Sequence, residues 1–192
     1  MKKFAGYDDI QVNEGFKILP AGPYRCVIKK ATEEARTNSE GTNLVILFDI
    51  AEGEHKNHFK DDFEKQTSSK KWRGIYRIGV PVDNSSDSLK KFFKSLITSI
   101  EKSNPGFKFD FDDKSVAALK DKKVGFMFRE EEYEKDGKVK VAVKPFFPRS
   151  WENVFEAEVP ERKKLQGTSS TGGSSWNPQT PAAPDDDDDL PF

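Results

Sequence analysis

The chain has 192 residues, of which 34% are hydrophobic and 34% are charged, and its formal net charge is −1. This length predicts one globular domain with an additional segment, and no membrane association is expected because no apolar run approaches the length that crosses a bilayer. Cys26 is the only cysteine, which excludes an intramolecular disulfide and favours a reducing cytoplasm.

The first part of the chain predicts an N-terminal arm followed by strands. Residues 1–20 are polar and lack a regular period, which is typical of an arm outside the domain. Residues 24–29 alternate between apolar and polar side chains and predict a first strand. Residues 44–50 are apolar on both faces, as expected for a central strand that is buried on both sides.

Two less regular segments follow. Residues 59–66 predict a weaker third strand, in which Phe59 and Phe63 share one face. Residues 72–80 also have strand character, but glycines at 74 and 79 interrupt them and indicate a bulge or a bend.

The apolar period then changes to that of an amphipathic helix. Its N-cap is expected within 85–87, and the stretch Asn104-Pro105-Gly106 is expected to end it. The residues that carry the helical period are Leu89, Phe92, Phe93, Leu96, Ile97 and Ile100.

The last part of the domain predicts a hairpin. Residues 115–120 suggest a short helical turn, and 123–129 suggest another strand. Valines at alternate positions within 139–143 form one face of a fifth strand, and Asp136-Gly137 is a strong turn signal between the two strands. Residues 145–165 are expected to trail back onto the body of the domain.

This order of strands, one main helix and a hairpin predicts a mainly β fold. It is the order of the OB-fold, a five-stranded barrel with its helix between the third and fourth strands. We therefore expect an OB-fold-like barrel over residues 21–165.

The composition changes sharply after Leu165. Residues 166–184 are uncharged and rich in Gly, Ser, Thr and Pro, which predicts a flexible linker. Residues 185–192 are five aspartates followed by Leu190-Pro191-Phe192. Adjacent like charges stay solvated, so this acidic tip is expected to be disordered.

The charges are unevenly distributed between the body and the tip. Residues 1–165 carry all 32 Lys and Arg against 28 Asp and Glu, whereas the tip carries only negative charge. A mildly basic body with an acidic appendage is typical of a polyanion-binding protein, and we expect the aspartates to compete with nucleic acid for the body.

Two stretches combine the cations and flat rings that single-stranded nucleic acid binds. The first predicts DNA-binding residues Lys65, Lys70, Lys71, Trp72, Arg73, Tyr76 and Arg77, and the second, on the fifth strand, predicts Lys138, Lys140 and Lys144. The alternatives are a solvated lysine face and, for Trp72 and Tyr76, burial in the core, because both share a strand face with Ile78 and Val80.

No catalytic motif or cofactor site is found in the sequence. His55 and His58 lie near Glu52 and Glu54, but the loop setting favours solvated side chains over a metal site. The aspartates at 110–113 are better explained as helix caps. A metal-dependent nuclease built from scattered carboxylates stays open as a third hypothesis.

The tip Asp185-Asp186-Asp187-Asp188-Asp189-Leu190-Pro191-Phe192 resembles the C-terminal tip of bacterial and phage single-stranded DNA-binding proteins, which typically have Ile where this chain has Leu190. The body is similar to small phage proteins encoded beside recombination and replication functions. The stretches that carry this similarity are Gly22-Pro23-Tyr24, Phe48-Asp49-Ile50-Ala51-Glu52-Gly53-Glu54, Glu101-Lys102-Ser103-Asn104-Pro105-Gly106-Phe107 and Phe128-Arg129-Glu130-Glu131-Glu132-Tyr133.

The resemblance implies a phage protein that binds single-stranded DNA in the host cytoplasm and whose tip, Asp185 to Phe192, recruits replication, recombination or repair proteins. The alternative is an adaptor or inhibitor that mimics the tip of the host protein without binding DNA. An exposed edge strand leaves homo-oligomer formation open.

Overall fold

A computed structural model describes residues 18–165 except 38, 39, 68 and 113, together with residues 3, 5, 7 and 8. The predictions for the linker and the acidic tip, and for most of the N-terminal arm, lie outside the described residues. The elements are β1 (Gly22–Ala35), β2 (Thr42–Ile50), α1 (His58–Lys65), β3 (Ile75–Gly79), α2 (Asp87–Ser103), β4 (Lys123–Lys135) and β5 (Lys138–Arg149), with 3-10 turns at Ala117–Leu119 and Val154–Glu156.

The five strands form one antiparallel sheet in the order β3-β2-β1-β4-β5. The mainly β prediction is therefore confirmed. β3 and β5 are the two edges and do not pair with each other among the described residues, so the sheet is not closed into a barrel. No helix of the described part of the chain has the length and hydropathy needed to cross a membrane.

The sheet is strongly curved around its core. Tyr76 of β3 and Phe126 of β4 lie three strand positions apart, which would separate them by about 14 Å in a flat sheet. Their ring centroids are only 4.9 Å apart, and the Phe48 ring of β2 is also 4.9 Å from Phe126. The concave face therefore folds over a compact aromatic core.

The prediction of a strand at 59–66 was wrong, because this segment is helix α1. Phe59 and Phe63 are four residues apart, a spacing that places both on one side of a strand and also on one side of a helix. The side chain of Asp49, in β2, favours the helix over a strand. It accepts hydrogen bonds from the backbone N–H groups of Phe59 (3.0 Å) and Lys60 (3.3 Å) at the helix start.

The prediction of the main helix is confirmed as α2. The Ser86 hydroxyl accepts a hydrogen bond from the Leu89 backbone N–H, and the helix ends at Ser103. The side-chain amide of Asn104 donates to the carbonyl oxygens of Ile100 and Lys123, which ties the helix end to β4. The buried face of α2 packs against the core of the curved sheet.

The β4–β5 hairpin is longer than the sequence indicated. Its turn is Asp136-Gly137 as predicted, and both residues adopt the left-handed backbone conformation that two-residue hairpin turns need. β5 continues to Arg149, so residues 145–149 are extended as predicted but belong to the fifth strand rather than to a segment that follows it.

Candidate nucleic-acid interface

The β4–β5 hairpin has two chemically different faces. Phe126 and Phe128 of β4 point into the core, so the alternate positions from Arg129 onward lie on the opposite face of the hairpin. On this face the side chains of Arg129 and Glu131 are only 13% and 16% exposed, whereas Lys135 near the turn is exposed. On that face the cross-strand pairs are Arg129 with Lys144, Glu131 with Ala142, Tyr133 with Lys140, and Lys135 with Lys138. We call these eight residues the basic hairpin face.

The basic hairpin face brings together the three predicted lysines of β5 and adds three residues that sequence reasoning missed. Arg129, Tyr133 and Lys135 come from β4 and complete a set of five cations around one ring. The signal was present in the sequence, because a two-residue turn at 136–137 pairs residue 135 with 138 and so fixes the pairs that follow, as far as the bulge at Phe146.

One carboxylate, Glu131, lies within the basic hairpin face and is shared by two cations. The Arg129 guanidinium donates to it at 2.7 and 3.0 Å, and the Lys144 ammonium lies 3.9 Å away. Lys140 lies 3.9 Å from Asp136 at the turn, a weak exposed pair. The Lys138 ammonium makes no ion pair with any of the described residues. The face therefore keeps a net positive charge towards its outer end.

The base of the hairpin is fixed by a stacked cation. The Arg129 guanidinium carbon lies 3.6 Å from the centroid of the Phe146 ring. Phe146 occupies the position where the β4–β5 register shifts, so it is the extra residue of a bulge. This contact orients Arg129, and the bulge is expected to increase the local twist of the hairpin.

The opposite face of the hairpin is acidic, and the last described residues form ion pairs and hydrogen bonds with it. Glu130 and Glu132 lie opposite Val143 and Val141, and Arg162 pairs with Glu130 at 2.6 Å and with Glu132 at 3.8 Å. Lys163 exchanges backbone hydrogen bonds with Glu130 and Glu132 in a parallel bridge. The chain around Lys163 therefore runs alongside β4, towards the hairpin turn.

The other predicted stretch lies at the opposite edge of the sheet, around the end of α1 and the start of β3. Lys65, Lys70 and Lys71 are exposed, and the Lys70 ammonium lies 5.5 Å from the centroid of the Phe63 ring. The Arg73 guanidinium pairs with Asp62 of α1 at 3.0 Å. These side chains form a basic group separate from the basic hairpin face.

Trp72 is half-buried rather than fully presented to solvent. Its indole N–H donates to the carbonyl oxygens of Phe48 (3.1 Å) and Gly74 (3.2 Å), and its ring packs 5.8 Å from that of Phe63. These contacts attach the segment before β3 to the core, so the residue has a structural role whether or not it also stacks on a base.

The structure corrects the prediction of Tyr76 as a DNA-contacting residue. Its side chain is only 6% exposed and packs in the core, where burial raises the pKa of its phenol. Arg77, the next residue, lies on the opposite side of β3 across from Val45 and is half-exposed. Arg77 is therefore accessible on the convex side of the sheet, whereas Tyr76 is not.

The sequence raised His55, His58 and the aspartates at 110–113 as possible metal ligands, and of these Asp113 lies outside the described residues. No group of three or more His, Cys, Asp and Glu side chains is placed to hold a metal ion within the described ranges. Asp112 caps the turn that follows it by accepting from the Ser115 hydroxyl at 2.6 Å, which lowers the pKa of its carboxyl. Cys26 is buried, and burial raises the pKa of its thiol, so the described fold gives no sign of a reactive cysteine.

A comparison with models of known protein families found no match for this chain, and a comparison with curated proteins found no significant similarity.

Proposed function

We propose that this protein binds single-stranded DNA, with the basic hairpin face as the principal contact surface. The observation that carries the proposal is the placement of Tyr133 among the cations of that face. Single-strand binders combine a positive groove with rings on which bases stack, and each stacked base contributes about 1–3 kcal/mol.

The topology supports the same proposal. OB-fold proteins bind oligonucleotides on the face of their second and third strands and with the loops before the second strand and between the last two strands. Here the basic hairpin face occupies the last hairpin, and Arg77 lies on the outer face of β3 beside β2. A curved sheet with α2 between β3 and β4 supports assignment to an OB-like architecture.

We propose that the acidic tip, 185–192, recruits proteins of replication, recombination or repair in a phage-infected cell. The support is the chemistry of the tip, in which five carboxylates are followed by Leu190 and Phe192 on either side of a proline. A basic pocket with an apolar floor is the kind of partner surface that fits it.

The proposal is tested by a fluorescence-anisotropy titration of the protein with labelled oligothymidine and with a duplex of equal length. The full chain and a chain ending at Pro184 are compared, and Mg²⁺ is added in a separate arm. Preference for the single strand by both chains supports the proposal.

Three other outcomes contradict it. No binding by either chain, with retained capture of partner proteins by the tip, indicates the adaptor instead. Equal affinity for duplex indicates a general polyanion binder. Cleavage of the oligonucleotide on addition of Mg²⁺ indicates the nuclease.

A further inference from the structure

A second group of rings and cations lies near the start of β4, on the same face of that strand as Tyr133. Gly125 of β4 pairs with Arg25 of β1 on one side and with Arg149 of β5 on the other. The next residue, Phe126, points into the core, so the position at Gly125 faces away from the core. Two arginines therefore lie on either side of a strand position that has no side chain.

The missing side chain at Gly125 allows the turn that follows β5 to lie against the sheet. A Cβ atom at Gly125 would be 2.6 Å from the Cβ atom of Val154, which is completely buried. The backbone N–H of Trp151 donates to the Ser103 hydroxyl at 2.8 Å, and the carbonyl oxygen of Trp151 accepts from the Arg25 guanidinium at 2.9 Å. The turn is therefore fixed to β4, to α2 and to β1.

Phe155, the residue after the buried valine, is presented to solvent by this fixed turn. It is 57% exposed, and the Arg25 guanidinium carbon lies 5.1 Å from the centroid of its ring. The Trp151 ring has the same guanidinium at 5.4 Å and the Lys123 ammonium at 5.0 Å from its centroid. We call these four residues, together with Arg149, the β4-start cluster.

The cations of the β4-start cluster differ in how far carboxylates neutralise them. The Arg25 guanidinium pairs with Glu52 at 2.6 Å and lies 3.9 Å from Glu152. Lys123 and Arg149 are exposed, and neither makes an ion pair with any residue that the structure describes. The positive charge available to an anion therefore lies at Lys123 and Arg149.

We propose that the β4-start cluster is a second base-stacking site, at which Phe155 binds a base of the same DNA strand that crosses the basic hairpin face. This inference rests on the proposed DNA binding and adds a second point of contact to it. Single-strand binders combine exposed rings with cations that hold the phosphates, and here Lys123 and Arg149 are those cations. The exposed carboxylates of Glu152 and Glu156 keep the phosphates away from the turn itself.

The spacing along β4 sets the length of DNA that reaches both sites. Gly125, beneath the turn, and Tyr133 are 133 − 125 = 8 residues apart, which is at most about 27 Å along a strand. This distance corresponds to about eight nucleotides at a stacked spacing of roughly 3.4 Å, and to fewer in an extended strand. Such a length is within the range of about 4–16 nucleotides that one OB domain covers.

The test is photo-cross-linking of the full chain to an oligothymidine of about 20 nucleotides that contains iododeoxyuridine, a length that spans both sites. Trypsin separates the two sites, because Tyr133 lies in the peptide 130–135 and Phe155 lies in the peptide 150–162. The expected result is cross-links in both peptides.

Matched variants identify the ring. Phe155→Ala is expected to weaken binding of this oligonucleotide at least about fivefold in an anisotropy titration, and Phe155→Trp, which keeps a ring, to bind within about twofold of the natural chain. Phe111→Ala makes the same change at a phenylalanine that is 72% exposed elsewhere on the surface, and it is expected to leave the affinity unchanged. Urea unfolding of each variant checks that the fold is retained.

Two results overturn the inference and leave the proposed DNA binding in place. Cross-links are confined to the peptide 130–135, or Phe155→Ala binds as tightly as Phe111→Ala. If neither the natural chain nor the chain ending at Pro184 binds the oligonucleotide, the proposed function fails together with the inference, so the two failures are distinguishable.

Discussion

Tyr133 of β4 lies directly opposite Lys140 of β5, so that a half-exposed ring and an exposed ammonium share the outward face of the hairpin. The pair lies between Lys135–Lys138 at the turn and Arg129–Lys144 at the base. If single-stranded DNA crosses this face as proposed, its phosphates would have cations on both sides of the ring.

Replacing Tyr133 by alanine is expected to weaken oligothymidine binding by about fivefold to 150-fold, which corresponds to the loss of one stacked base at about 1–3 kcal/mol. Tyr133→Phe keeps the ring and is expected to bind within about twofold of the natural chain. Both are measured by anisotropy titration, with thermal unfolding as the control for folding. Equal affinity of the alanine and phenylalanine variants would show that the ring does not stack.

Trp72→Phe is expected to lower the free energy of unfolding by about 1–3 kcal/mol, because it removes the donor that serves the carbonyl oxygens of Phe48 and Gly74. Urea unfolding measures the change. If the midpoint stays where it is in the natural chain, the indole N–H contributes nothing to the attachment of this segment.

Asp49→Ala is expected to cost about 1–3 kcal/mol of stability, since it leaves the backbone N–H groups of Ile50, Phe59 and Lys60 without their acceptor. Asp49→Asn keeps an acceptor oxygen and is expected to lose less. The comparison is made by urea unfolding at neutral pH. An alanine variant as stable as the asparagine variant would contradict the capping role of this side chain.

Tyr76 makes the fold sensitive to high pH. Burial raises the pKa of its phenol above the usual value of about 10, so the neutral form is favoured in the folded state. Its contribution to stability is complete below about pH 10 and is lost as the pH rises towards the raised folded-state pKa. At pH 11 the loss is expected to reach about 1.4 kcal/mol relative to pH 8.

Tyr76→Phe provides the reference for this pH dependence, because it keeps the ring and removes the titrating group. Urea unfolding at pH 8 and pH 11 is expected to show a smaller loss of stability for the variant. Identical losses for both proteins would show that the phenol ionises as easily in the folded state as in the unfolded state.

Local patterns in the sequence were sufficient for two parts of the fold. The helical period from Leu89 to Ile100 and an N-cap expected within 85–87 predicted α2, and Asp136-Gly137 predicted the hairpin turn. Both are decided by short-range physical chemistry, namely side-chain period, a hydroxyl cap and backbone conformation.

Other parts depend on contacts between distant residues. The helix at 58–65 is capped by Asp49 from a neighbouring strand, a contact that the even spacing of Phe59 and Phe63 cannot reveal. Trp72 lies before β3, which begins at Ile75, so the strand alternation did not apply to it. Whether the edges of a curved sheet meet depends on accumulated twist, which no local pattern specifies.

Only part of the candidate site was predicted from the sequence, because the rest also depends on contacts between distant residues. The lysines of β5 were found because they alternate along one strand, whereas Arg129, Tyr133 and Lys135 required the cross-strand register. Tyr76 was included because rings among cations are typical of single-strand binding. The structure shows the stated alternative, burial on the strand face that it shares with Ile78, and the curvature of the sheet brings its ring against Phe126.

The central claim is that the basic hairpin face contacts the phosphates of single-stranded DNA. It is tested most directly by measuring oligothymidine affinity against salt concentration for the natural chain, for Lys138→Glu/Lys140→Glu, and for Lys102→Glu/Lys120→Glu as a control of equal charge. Each phosphate contact contributes about 0.7 to the slope of log affinity against log salt. The account predicts a slope shallower by about 1.4 and an affinity at least tenfold weaker for the hairpin variant alone. Equal slopes and affinities for the hairpin variant and the control would contradict it.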